Sequence, residues 1–364
     1  MYKQAVFPLL CLLDPEDAHD LVLKTLRGVG NSYLGRAGLT KCFYFDDPRL
    51  AVDLWEIHFP NIVGLAAGMD KNAQAVRGFA ALGFGHASVG TVTPRPQVGN
   101  NRPRLFRLVE DLGIINRMGF NSQGIYVAIA NLEESEDTGM ILGASLGANK
   151  STVESGDPSD DYVEVLTALG HLVQFVEVNV SSPNTTNLRK LQGKEALDYL
   201  LSRVMRIRNK IFPTCPVLVK IAPDLTWQEI DTILEVGTSW GISGYVATNT
   251  TIARPGSLAS FYKTELGGLS GEKLREHSTA IIRYIYQRTQ GAVPIVGVGG
   301  ISSAFHALEK LEAGAVLIQL YTGLIYQGPA LPQQIKQGLA TYLDQVGAKN
   351  VAELVGRKVE VQAL

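Results

Sequence analysis

The sequence predicts an α/β protein, a (β/α)8 TIM barrel with a small N-terminal helical element. Three observations carry this. Eight short apolar runs recur from residue 61 onward, most of them ending in Gly, Ser, Thr or Asn. Segments of helical periodicity separate them, so strands alternate with helices, which implies right-handed βαβ units and a parallel sheet. Eight such units over roughly 280 residues match a barrel whose typical size is about 250. An open doubly wound sheet is the alternative that the same alternation allows.

Residues 1–45 stand outside the alternation. Tyr2, Val6, Leu9, Leu10 and Leu13 line one face of a first helix, which Pro8 kinks or shortens. Asp14 before Pro15 reads as an N-cap with proline at the first helical position. Ala18, Leu21, Val22, Leu26 and Val29 then form an apolar stripe at helical spacing. So apolar an element either packs on the barrel or meets a membrane surface. Pro48 to Pro60 reads as a short hairpin leading into the first barrel strand. Residues 46–345 form the barrel, with strands in "NIVGLAAG", "HASVGTVT", "MILGASLG", "FVEVNVSS", "VLVKIAP", "GYVATNT", "PIVGVGG" and "AVLIQLYTG". Ala196–Ile207 and Ser303–Leu311 are two of the helical segments between them. Residues 346–364, a partly amphipathic C-terminal extension, receive no role.

Composition narrows the function. The net charge is −2, with 33 basic and 35 acidic residues and no basic arm, which argues against nucleic acid as a partner. Cys11, Cys42 and Cys215 are scattered, without metal-ligand spacing, and fit a reducing compartment better than a disulfide framework. The six histidines are equally dispersed, so no metal site is expected. No apolar run approaches the ~18–20 residues of a membrane span. Membrane contact is therefore expected to be peripheral.

Chemistry in a barrel collects at the C-terminal ends of its strands. Those ends supply Lys71, Thr91, Ser145, Asn179 with Ser182, Lys220, and Thr248 with Asn249. Two cations and many neutral hydrogen-bonding groups converge there without a carboxylate pair. Along the fourth strand Val176, Val178 and Val180 share one face and Glu177 and Asn179 the other. The valines meet the helices, so Asn179 points into the barrel mouth. A single such asparagine would be an ordinary core amide; a cluster at five or more strand ends is a site. Gly299, Gly300, Thr322 and Gly323 leave backbone N–H groups free to approach an anion, the usual phosphate position in these barrels. "GVGG" lacks the acidic residue of a dinucleotide fingerprint, so a phosphate on a cofactor is the better inference. Lys220 nearby suits a cofactor that becomes negative in use, as a reduced flavin does.

Taken together, "GLAAGMDK", "GTVTPRPQ", "RLFRL", "INRMGFN", "NVSSPNT", "VKIAPDL", "ATNTT", "GGLSG", "GVGGI" and "YTG" resemble the dihydroorotate dehydrogenase family, from about residue 1 to residue 340. The resemblance implies an FMN-binding barrel that oxidises (S)-dihydroorotate to orotate in pyrimidine synthesis. Ser182 stands where the family's soluble class carries cysteine. With the helical residues 1–45, it points to the class that passes electrons to a membrane quinone, ubiquinone or menaquinone. Peripheral attachment to the cytoplasmic side of a bacterial inner membrane follows as an expectation, with no obligate protein partner.

Carried over residue by residue, Ser182 is the base for the C5 proton. Lys71, Asn116, Asn179, Asn184, Asn249 and Thr250 are substrate contacts, and Asn116, Arg117, Met118, Gly119 and Phe120 wall the site. Ala67, Gly68, Thr91, Ser145, Asn179, Lys220, Thr248, Ser270, Gly271, Gly299, Gly300, Tyr321 and Thr322 match flavin positions. His19, Arg107 and Tyr321 match the quinone end, although His19 by itself reads as an ordinary helix residue. The amides have a chemical reason: a cyclic ureide alternates N–H donors with C=O acceptors, and asparagine complements that edge without adding charge. This sequence departs from the family at Ser145, usually asparagine, at Ala148, often lysine, and at Thr186-Asn187 in the lid. Asparagine tolerates the left-handed backbone that a turn needs there. Two rival readings remain: a Schiff-base aldolase using Lys220, and a phosphate-ligand sensor docked on membranes through residues 1–30.

Overall fold

Each apolar run forms a strand: β1 Val63–Leu65, β2 His86–Val92, β3 Ile141–Leu146, β4 Phe175–Asn179, β5 Val217–Ile221, β6 Gly244–Ala247, β7 Ile295–Val298 and β8 Leu317–Leu320. The computed structural model describes residues 2–135 and 138–360. The eight strands close into a barrel in the order β6-β7-β8-β1-β2-β3-β4-β5, all neighbours parallel. Closure is made by β8 on β1, where Ile318 pairs with Val63 and Leu320 with Leu65. An open doubly wound sheet is thereby excluded.

The helices cover the outer face through their apolar stripes. In the helix Lys194–Ile211, Leu197, Leu200, Leu201 and Val204 recur at helical spacing and are buried. Each such side chain contributes about 1.5–3 kcal/mol relative to exposure. Inside, Glu177 of β4 reaches Ser88 of β2 and Gln319 of β8 across the lumen, so the alternation expected for β4 holds.

The predicted hairpin pairs Val52–Leu54 with Ile57–Phe59 around Trp55 and Glu56, both at positive φ (55° and 61°), as a two-residue turn of matching twist requires. It plugs the barrel's N-terminal end. Trp55 Nε1 donates to the Ser243 carbonyl at 2.9 Å. Phe59 packs edge-on against His86, ring centroids 5.6 Å apart, and Phe175 completes the cluster. The His86 imidazole occupies the space a Cβ on Gly64 would take.

The N-terminal element comprises a widened helical turn, Tyr2–Val6, followed by α1 Phe7–Cys11, α2 Pro15–Asn31 and α3 Tyr33–Phe43. Pro8 sits in the first turn of α1, which stays five residues long. The Asp14 carboxylate accepts the Glu16 N–H at 2.9 Å, the expected cap. The α2 helix crosses α4 (Val76–Ala81) at Gly30 and Gly78, where a Cβ on Gly30 would lie 2.6 Å from the Gly78 nitrogen. Only part of the predicted apolar stripe is covered. Ala18 is buried, whereas Leu21 and Val22 stay 48% and 44% exposed along a cavity under the helices.

The sequence reading did not include a three-stranded antiparallel sheet of Leu105–Leu108, Gly113–Asn116 and Gly268–Gly271, built from the excursions after β2 and β6. Strands of four residues carry too little periodicity to stand out. At the C-terminus, Val351 and Leu354 are buried, and Lys358 pairs with Glu312 at 2.7 Å. Residues 361–364 of the extension lie outside the described residues. Among the described residues no helix is long and apolar enough to cross a membrane, and no His/Cys/Asp/Glu group could hold a metal ion.

Burial pushes the His86 imidazole down to about 3. Folded, it binds fewer protons than in the unfolded chain, where histidine titrates near 6.5, so its contribution is complete above about 6.5 and is lost as pH falls toward 3. Urea unfolding at pH 7 and pH 5 should show wild-type protein losing about 2 kcal/mol more than His86→Leu. Equal losses would disprove the assignment.

Candidate active site

The C-terminal ends of the strands open into a cleft of about 990 Å3 including its open mouth. Of the predicted substrate and cofactor positions, Ala67, Gly68, Lys71, Thr91, Asn116, Met118, Gly119, Phe120, Asn179, Ser182, Asn184, Lys220, Thr248, Asn249, Thr250, Ser270, Gly271, Gly299, Gly300, Tyr321 and Thr322 all line it. Lys71 follows β1 on a loop braced by buried Asp70, whose carboxylate accepts the N–H groups of Gln74 and Ala75, each at 2.8 Å. The Lys71 ammonium lies 3.2 Å from Met118 Sδ. Burial pushes it down to about 8, with Glu16 acting in the opposite direction.

The asparagines form a belt of two hydrogen-bonded pairs. Asn179 Nδ2 donates to Thr91 Oγ1 at 2.8 Å, and its Oδ1 accepts from the Ser181 hydroxyl at 3.2 Å. Asn249 Nδ2 donates to Ser181 Oγ at 3.0 Å, and Asn184 Nδ2 to Asn116 Oδ1 at 3.0 Å. Asn184 Oδ1 and Thr250 Oγ1 are buried without a hydrogen-bond partner among the described residues. Unpaired polar atoms are costly in a low-dielectric pocket, so these two are open to a polar ligand. The Ser182 hydroxyl is buried and accepts the Asn184 N–H at 3.3 Å; among the described residues no histidine or carboxylate hydrogen-bonds it. Asn187 adopts φ 64°, the left-handed turn that asparagine was expected to tolerate.

The opposite wall is a glycine cradle. Gly271, Gly299 and Gly300 have φ of 104°, 124° and 71°. A Cβ on Gly299 would lie 2.9 Å from Ser278 and one on Gly300 2.5 Å from Arg275, so the backbone itself faces the cleft. Behind the cradle, buried Lys310 donates to the Arg275 carbonyl, Ser278 Oγ and Thr279 Oγ1 at 2.9, 3.0 and 2.8 Å. Such a surface suits a phosphate tail, and the amide belt opposite suits a ring with alternating donors and acceptors.

Below lies a feature that went unassigned. Lys220 Nζ is 3.8 Å from Glu177 Oε2, and Gln319 Nε2 donates to Glu177 Oε1 at 2.8 Å. Burial lowers the Lys220 pKa, and Glu177 opposes that shift. Lys220 is thus a desolvated amine held beside a counter-charge, with burial outweighing Glu177 in setting its shift. The inward alternation of β4 and the lone glutamine in "AVLIQLYTG" were the available signals.

Two predicted residues do not reach the cleft. Arg117 follows Asn116 and points away, its guanidinium 2.6 Å from Glu265 and 4.6 Å above the Phe106 ring. Ser145 lies behind Thr91, hydrogen-bonded to its hydroxyl at 2.9 Å. Thr91 intervenes, so Ser145 supports the wall without lining it.

A second cavity, about 1640 Å3 including its open mouth, lies between α1–α3 and the barrel. Its lining is almost wholly apolar, interrupted by Tyr2 and Thr25 and by His19, Arg107 and Tyr321, the three predicted quinone-end residues. Arg107 Nη1 donates to the Leu10 carbonyl at 2.8 Å, and Nη2 to that of Leu13. Burial, reinforced by the charge of Lys71, pushes His19 down to about 3 and keeps it neutral. Tyr321 lines both cavities, its hydroxyl 3.3 Å from the Gly68 carbonyl.

Comparison with known proteins agrees with this geometry. The family model for dihydroorotate dehydrogenase matches residues 49–343. The chain is 45% identical over 350 residues to the dihydroorotate dehydrogenase (quinone) of Roseiflexus sp. (strain RS-1), covering 96% of each chain. It is also 45% identical over 365 residues to the mitochondrial dihydroorotate dehydrogenase (quinone) of Mus musculus, covering 98% of this chain and 90% of that one. A ligand-free DHODH structure from Eimeria tenella superposes with a TM-score of 0.87 at 37% identity, covering 95% of this chain and all of that one (100%). Barrel, amide belt, glycine cradle and near full-length similarity coincide in one chain, which belongs to the dihydroorotate dehydrogenase family.

Proposed function

We propose that this protein oxidises (S)-dihydroorotate to orotate using FMN and delivers the electrons to a membrane quinone. One observation carries the reading: a polar, amide-lined cleft and a large apolar cavity abut at Tyr321. A charged pyrimidine acid and a lipid-soluble acceptor need pockets of opposite polarity within reach of one redox group.

The residues present fit FMN. The glycines 271, 299 and 300 would take its phosphate, with Ser270 and Thr322, whose hydroxyls lie 2.8 Å apart. Lys220 would face the ring and Thr91 and Asn179 would border it. Bound there, FMN supplies the acceptor for the C6 hydride and the means of passing two electrons onward.

The chain's own residues do the rest. Lys71 balances the substrate carboxylate. Asn116, Asn179, Asn184 and Asn249 match the ureide edge, and an analogue lacking a ring N–H would leave one of them unpaired in a buried site. Ser182 receives the C5 proton. A serine hydroxyl is a weak base, and the Asn184 N–H on its oxygen favours the anionic form. The apolar cavity takes the quinone past His19 and Arg107. Leu9, Leu12, Tyr33 and Leu34, 66–82% exposed on α1, α3 and the turn after α1, support peripheral docking on a lipid surface. An inner-membrane, cytoplasmic-side address is part of the same proposal.

FMN-loaded protein should bleach anaerobically with dihydroorotate and regain its colour with a soluble quinone, not with fumarate or NAD. Recovery with fumarate or NAD alone would overturn the quinone assignment. Ser182→Ala should keep FMN but slow flavin reduction by about 10²- to 10⁴-fold, and near-normal reduction removes Ser182 from the mechanism. Because Lys71 is pushed down to about 8, its charge is present below that pH and lost above it. KM for dihydroorotate should therefore rise by up to about tenfold per pH unit beyond 8, and Lys71→Met should raise KM at pH 7 and abolish the rise. A flat wild-type profile would count against Lys71 as the carboxylate partner.

A further inference from the structure

A continuous run of hydrogen bonds joins α2 to the segment that carries Ser182. It begins at Glu16, in the first turn of α2 and only 4% exposed. Its carboxylate holds Arg104 Nε at 2.9 Å and Nη2 at 2.6 Å, a two-pronged pair that fixes orientation as well as distance. The third nitrogen, Nη1, donates to the carbonyls of Val98 at 2.5 Å and Asn100 at 2.7 Å. Asn100 Nδ2 donates in turn to the carbonyls of Arg117 at 2.9 Å and Asn184 at 3.0 Å. Asn184 grips Asn116 and gives its backbone N–H to Ser182 Oγ.

The run has little slack. A Cβ on Gly99 would lie 3.0 Å from Arg104 Nη1, and one on Gly119 2.7 Å from Asn100 Nδ2. Both glycines have positive φ, 78° and 74°. If the only task were to anchor α2, the half-exposed Arg102, which pairs with Asp17 at 2.7 Å and with Glu16 at 3.1 Å, would serve without a second, buried arginine. Arg104 differs in that only two of its nitrogens turn toward α2 and the third binds the loop that holds Asn184, whereas all three of Arg102 face α2 carboxylates.

We propose that Glu16 and Arg104 are positioning residues that couple α2, a wall of the apolar cavity, to the Ser182–Asn184 segment of the polar cleft. The inference rests on the function proposed above. A shift of α2 when the apolar cavity fills, or when the helices meet a lipid surface, is passed through Arg104 and Asn100 to the Asn184 carbonyl. The setting of Ser182 and of the amide belt then depends on the state of the cavity where electrons leave.

The test uses full-length FMN-loaded protein in four forms: wild type, Glu16→Gln, Asn100→Ala and, as control, Asp17→Asn. Two readouts are taken: anaerobic flavin reduction by dihydroorotate with no quinone present, and backbone amide exchange of the segment 182–187. Glu16→Gln and Asn100→Ala should each slow reduction by at least about fivefold and speed amide exchange in the segment. Asp17→Asn should match wild type in both. Normal reduction in Glu16→Gln or Asn100→Ala overturns the proposal, as does faster exchange without a change in reduction, which would leave the pair a mere anchor. Should Glu16→Gln not fold, Asn100→Ala decides alone. Wild-type flavin that dihydroorotate fails to reduce defeats the functional reading instead, and unchanged exchange in Asn100→Ala then still refutes the coupling.

Discussion

Eight parallel strands close only when they tilt and stagger together, and from then on every second side chain of each strand must enter the lumen or its mouth. β4 makes the consequence visible. Phe175, Glu177 and Asn179 are spaced two apart, so they climb the lumen in steps of roughly 6.6 Å. Phe175 belongs to the aromatic plug with Phe59 and His86, Glu177 to the charged layer with Lys220, and Asn179 to the amide belt. One strand thus carries the whole gradient from apolar base to polar mouth, and closure of β8 on β1 brings the other strands into register with it.

The middle layer is costly. Removing both charges of Glu177 and Lys220 from water is only partly offset by their attraction and by the bonds from Ser88 and Gln319, so the pair is no argument for stability. Its effect is on the cleft. Lys220 lines the cleft and Glu177 does not, so the lumen presents positive charge upward while its counter-charge stays below. A ring that gains negative charge at that level meets a cation already desolvated and in place.

Polarity is separated laterally as well. Backbone and side-chain dipoles crowd the cleft, whereas α1–α3 stand off the barrel over an apolar cavity, with Tyr321 in the partition. The N-terminal helices bear on both compartments. They wall the apolar side, and through Glu16 and Arg104 they brace the loop that reaches Asn184.

Much of this was legible in one dimension. Eight apolar runs with polar ends are a periodic signal, from which the barrel and the strand-end positions of Lys71, Asn179, Lys220 and Asn249 follow, while the Asp14 cap follows from the proline after it. Relations between segments distant along the chain were not legible. Nothing local links Glu16 to Arg104, 88 residues apart, or sends Arg117 to Glu265 while its neighbour Asn116 faces the cleft. The four-residue strands of the outer sheet were too short to show a period, and Ser145 could not be read as standing behind Thr91. The sequence by itself determined which residues alternate, cap and turn, because those depend on neighbours within a few positions. Tertiary structure alone decided which polar atoms are satisfied, which charges are paired and which cavities share a wall, because burial and hydrogen bonding depend on what closure brings across the barrel.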